Sequence, residues 1–101
     1  MKYIVTNKQL HNLMTNHLNQ FMDSRDVSKF DNFIIISETD ELYDFNNVSI
    51  EYDYEDGRLF IDEYFLKDFV SWFPLDEEGS QEFIKDWFEK TFNVNVKYTQ
   101  S

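Results

Sequence analysis

Leu10, Leu13, Met14, His17, Leu18, Phe21 and Met22 recur three and four residues apart, the spacing of an amphipathic helix, and predict one over residues 6–23. Thr6 with Gln9 three residues later is a capping-box start. The outer face of this helix is mostly uncharged: Asn7, Gln9, Asn12, Thr15, Asn16, Asn19 and Gln20. The next stretch, SRDVSKFDN (24–32), is polar throughout and reads as a loop. FIIIS (33–37) is short and β-branched, the pattern of a buried strand, and ETDELYDFNN (38–47) follows as a polar, acidic connection.

From Val48 the pattern changes to strict alternation. Val48, Ile50, Tyr52 and Tyr54 face one way, and Ser49, Glu51, Asp53 and Glu55 the other. Asp56-Gly57 is a preferred two-residue hairpin turn. Turned there, the chain pairs Glu55 with Arg58, Tyr54 with Leu59, Asp53 with Phe60, Tyr52 with Ile61 and Glu51 with Asp62. Tyr52, Tyr54, Leu59 and Ile61 then form an apolar inner face, while Glu51 opposes Asp62, a like-charge pairing that destabilises a sheet.

Asp62 is placed to cap a helix over 63–73, in which Phe65, Leu66, Phe69, Val70, Trp72 and Phe73 are apolar around most of the girth, with Pro74 as its stop. A third helix starts near Asp76. Glu77 and Glu78 then suit its dipole, and Phe83, Ile84, Trp87, Phe88 and Phe92 form its stripe. VNVKY (94–98) alternates again and reads as a closing strand. The expected order is α-β-β-β-α-α-β: a small α+β domain over residues 1–101, with helices packed on an antiparallel sheet.

Composition adds constraints. Eleven Phe, six Tyr and two Trp supply ample core material, and aromatics surplus to one small core would mark a protein contact. With no cysteine, the chain has no disulfide, zinc-thiolate site or thiol nucleophile. No apolar run reaches the roughly 18–20 residues that cross a bilayer, and the N-terminus turns polar too soon for a secretory signal, so a cytoplasmic location is expected. The net charge of −11 is concentrated: Glu38 to Glu82 contain fifteen acids against Arg58 and Lys67. A field of that sign opposes direct binding to nucleic acid or to an anionic membrane and favours a cationic partner.

Catalytic and metal signatures are weak. EYDYEDG (51–57) is superficially like a calcium loop, but Asp56 stands where the EF-hand pattern needs Gly, and Asp62 where it needs Glu. Six residues apart on a helix, His11 and His17 lie about 120° from each other and cannot share a metal through one face. His17 falls on the apolar stripe, and His11 is expected outside it. Glycine at 57 and 79 only is incompatible with a phosphate loop, a dinucleotide fingerprint or a nucleophile elbow. The aromatic segments lack the interleaved lysines and arginines of a strand-binding groove. No cofactor is expected.

The opening YIVTNKQLHNLM resembles the start of many small tailed-bacteriophage proteins, a short apolar run, then Thr or Ser, then a helix carrying Gln-Leu-x-x-Leu/Met. The matching residues are Ile4, Val5, Thr6, Gln9, Leu10, Leu13 and Met14; Asn7 stands where those openings often carry Glu. The resemblance covers about a tenth of the chain and implies no activity by itself. If it is right, the location is the host cytoplasm, and small acidic phage proteins often inhibit host nucleases, polymerases or defence complexes, several by resembling DNA. The leading expectation is a non-enzymatic, acidic binding protein. Its Glu38, Asp40, Glu41, Asp44, Glu51, Asp53, Glu55 and Asp62 would present an anionic array to a basic protein surface, as a DNA mimic does. Two alternatives stay open: an accessory phage protein that forms a homodimer or joins a virion through aromatic surface, and a carboxylate- or metal-dependent enzyme.

Overall fold

A computed structural model describes residues 7–37 and 48–100. Helix α1 spans Asn7–Asp23, and strands β1 (Asp26–Lys29), β2 (Phe33–Ser37), β3 (Val48–Asp53) and β4 (Arg58–Ile61) follow. Helices α2 (Glu63–Trp72) and α3 (Glu77–Phe92) then lead to β5 (Tyr98–Gln100). The expected order is present, with one strand added. β1 lies within the stretch expected to be a loop, where Val27 pairs with Ile36 and Lys29 with Ile34. DVSK has too few apolar residues to reveal a strand alone; it is held by the edge that FIIIS offers. The residues that open the chain through Thr6, and the acidic connection carrying Glu38, Asp40, Glu41 and Asp44, lie outside the described residues.

The five strands lie in sequence order in one mixed sheet. β1 to β4 form an antiparallel meander, and β5 returns through α2 and α3 to pair parallel with β4. The closing strand therefore begins later than VNVKY suggests. β5 pairs from Tyr98, opposite Arg58, because β4 itself starts there. Val94 to Lys97 pass the hairpin loop instead, where Lys97 N–H donates to the Gly57 carbonyl (2.7 Å) and Val96 N–H to Glu89 Oε2 (2.9 Å).

One face of the sheet carries the core. Ile34, Ile36, Ile50, Tyr52, Leu59 and Ile61 meet Met14 and Leu18 of α1, Leu66 and Phe69 of α2, and Ile84, Trp87 and Phe88 of α3. Phe69 and Phe88 are fully buried, so truncating either to alanine is expected to cost about 3–5 kcal/mol. The helix ends have local causes. Asp76 Oδ1 accepts from Gly79 N–H (2.7 Å) at the start of α3, and Asn93 adopts the left-handed conformation that ends it. α2 stops where Phe73 turns extended before Pro74.

Candidate functional site

The β3–β4 hairpin and its flanks carry four of the eight acids of the expected array, Glu51, Asp53, Glu55 and Asp62, and its register differs from the expected one by two residues. Asp53 pairs with Arg58, Tyr52 with Leu59, Glu51 with Phe60 and Ile50 with Ile61. Tyr54 to Gly57 form a four-residue loop, closed by Gly57 N–H donating to the Asp53 carbonyl at 2.8 Å. A two-residue turn of type I′ would demand positive φ at both Asp56 and Gly57. Only Gly57 adopts it here, at φ 68°. The longer loop spares Asp56 that strain and leaves Tyr54 exposed instead of on the inner face.

A strand's side chains alternate with period two, so a two-residue slip preserves inside and outside and changes only which residues face each other. Two cross-strand rows result on the face away from the core. One runs Ile35, Glu51, Phe60, Gln100; the other runs Phe33, Asp53, Arg58, Tyr98. Glu51 thus sits between two apolar side chains, and Asp53 faces an arginine. The expected opposition of Glu51 and Asp62 does not occur, and with it goes the expected like-charge repulsion.

The remaining hairpin acids have separate surroundings. Asp62 is the N-cap of α2, as expected, and its Oδ2 accepts from Tyr64 N–H (3.1 Å) and Phe65 N–H (3.2 Å). Asp53 Oδ1 accepts from Glu55 N–H (2.9 Å), and Glu55 and Asp56 stand exposed on the loop. Glu51, Asp53 and Asp62 are each half-buried. The structure brings Glu51 and Asp53 together on one face with Arg58 among them. It turns Asp62 to α2 and Glu55 to solvent.

Helix α2 carries features the sequence pattern concealed. Tyr64 and Trp72 are exposed to 81% and 68%, and Asp68 between them is exposed as well. An apolar count along the helix hides this; a helical wheel separates Tyr64, Asp68 and Trp72 from the buried Leu66 and Phe69. Lys67 Nζ lies 2.9 Å from Glu63. Its hydrogen bond, and then its charge, hold the Glu63 carboxyl below the ordinary range, and the same pair raises Lys67.

Two clefts flank α1. One of about 320 Å³ separates it from α3, with His11, Asp86 and Lys90 around Phe83 and Trp87. There Trp87 Nε1 donates to Asn19 Oδ1 at 2.9 Å. The other, about 290 Å³, lies between α1 and α2 and is lined in part by His17, Phe21, Arg25, Phe65 and Asp68. The two histidines line different clefts. His11 packs on Phe83 (5.1 Å between centroids), and His17 on Phe69 (5.8 Å) and Phe73 (5.3 Å). Among the described residues no group of three or more histidines, aspartates or glutamates is arranged to hold a metal ion, and no helix is long and apolar enough to cross a membrane.

Comparison with protein-family models, with curated proteins and with solved structures found no match. Function must therefore be read from the charge and the surface chemistry of this chain.

Proposed function

We propose that this is a non-enzymatic binding protein whose excess negative charge engages a basic surface on a nucleic-acid-handling host or viral protein, in the manner of a DNA-mimic inhibitor. One observation carries the reading: among the described residues most of the acids face solvent, and few have an ion-pair partner. Glu55, Asp56, Asp68, Asp76, Glu77, Glu78 and Asp86 are exposed. Among the described residues only Glu63 and Glu82 have lysine partners, at 2.9 and 3.8 Å. Glu38, Asp40, Glu41 and Asp44 join this field by charge, and Glu51, Asp53 and Asp62 reinforce it from half-buried positions. Unpaired charge of one sign speeds encounter with a partner of the other and loses strength as salt rises.

The test is capture of basic proteins on the immobilised chain at low and at high salt. It runs beside a variant with Glu55→Gln, Asp56→Asn, Glu77→Gln and Glu78→Gln. Capture that fades with salt and weakens in the variant supports the proposal; capture indifferent to both rejects it.

The exposure of Tyr64 and Trp72 favours a second reading, an accessory phage protein that dimerises or joins a virion through aromatic surface. It predicts association that survives high salt.

A further inference from the structure

We infer that the ridge Tyr64–Asp68–Trp72 on α2 is the docking surface for an arginine-bearing segment of the basic partner, an inference that rests on the proposed function above. The three residues are four apart, so they line up along the helix, with about 6 Å of rise from one to the next. Tyr64 and Trp72 are the two most exposed large hydrophobic residues among those described. Apolar surface of that size left in water on the same ridge as a carboxylate calls for an occupant that satisfies both.

The ridge is firmly mounted. Trp72 lies beside the His17 ring (6.3 Å between centroids), and Phe69, one residue beyond Asp68, is fully buried. It is also electronegative. Lys67, the only base of α2, is engaged by Glu63, and Asp68 forms no ion pair among the described residues. Arg25 lines the cleft beneath Asp68 with its guanidinium 5.3 Å from the Phe21 centroid. Asp62, Tyr64 and Asp68 line the adjoining cavity with it, and Arg25 forms an ion pair with neither carboxylate.

A guanidinium meets all three elements. Its flat face stacks on tryptophan or tyrosine, and its edge donates two parallel hydrogen bonds to a carboxylate. The other occupants fit less well. A second copy brings another −11 charge against the first, and nucleic acid brings phosphates against Asp68.

The experiment titrates the intact protein into end-labelled poly-arginine and poly-lysine peptides of equal length at low salt and follows the anisotropy of the label, with tryptophan fluorescence recorded beside it for the wild type. Trp72 is the exposed tryptophan and Trp87 is buried, so a change reports on the ridge. The variants are Trp72→Ala with Tyr64→Ala, and separately Asp68→Asn; circular dichroism checks their fold. The inference expects poly-arginine to bind more tightly than poly-lysine. It expects the aromatic variant to bind poly-arginine at least about tenfold more weakly, from two lost cation–π contacts. Equal poly-arginine binding by wild type and both variants overturns the ridge and leaves the reading of an anionic binding protein intact. No salt-sensitive binding of either peptide overturns that reading, and the ridge with it. A wild-type dimer that dissociates in the aromatic variant identifies the occupant as a second copy and overturns the inference.

Discussion

Asp53 lies directly across the β3–β4 hairpin from Arg58. Opposite charges at such a position stabilise a pair of strands by about 0.2–1 kcal/mol relative to alanines. A double-mutant cycle on Asp53→Ala and Arg58→Ala should return a favourable coupling in that range. The cycle cancels the separate loss of the Asp53 bond to Glu55. A second cycle on Glu51 and Asp62 should return a coupling within about 0.3 kcal/mol of zero. A clear repulsion between those two would mean that the tighter, two-residue turn is the correct one.

Asp62 and Asp76 both act as N-caps. Replacing either with alanine should lower stability by about 0.5–2 kcal/mol, measured by urea denaturation, whereas asparagine should restore most of it. Charge reversal at Asp62 would therefore confound binding with folding. Glu55 and Asp56, exposed on the loop, are the cleaner positions for an electrostatic test.

Tyr52 links the sheet to the segment after α3 through its hydroxyl, which donates to the Asn95 carbonyl at 2.8 Å. Burial, then the neighbouring Tyr54, Glu89 and Asp53, raise its pKa above 10.0. An acid that holds its proton more tightly when folded contributes stability that is complete below its unfolded value. That contribution is lost as pH rises through the folded one. Melting temperature should therefore fall above about pH 10, where free tyrosine ionises. Tyr52→Phe should cost about 0.5–1.5 kcal/mol at neutral pH and flatten that alkaline decline. An unchanged decline would show that other groups cause it.

Gly57 combines a φ of 68° with a close approach, since an added Cβ would stand 2.7 Å from Lys97 Cγ. Gly57→Ala should cost about 1–2 kcal/mol for the backbone alone, with an added increment from displacing Lys97. Pairing the change with Lys97→Gly removes the second contribution and keeps the first. Thermal melts of the single and double variants separate the two, and full recovery in the double variant would rule out the backbone strain.

Much of the fold was legible because single helices and strands write their burial into local period. FIIIS, the stripe of α1, the Asp62 cap and the stop at Pro74 needed no partner to be recognised. The strand over Asp26–Lys29 and the late start of the closing strand at Tyr98 were not legible. Each exists because a neighbouring edge is present at that point, and its own residues show no alternation that would reveal it.

The candidate site divides along the same line. Sequence alone determined the charge, its crowding between Glu38 and Glu82, and the inside–outside alternation of the hairpin, because these depend on residue identity and on a period of two. Only the tertiary structure decided that Asp53 meets Arg58, that Glu51 meets Phe60 and that Asp62 turns to α2. The loop's choice of length is a balance between backbone strain at Asp56 and pairing across the sheet. Only the tertiary structure, too, left Trp72 in water while Trp87 was buried. Both are apolar positions on amphipathic helices, and their fates were set by which helix face the rest of the chain had room to cover.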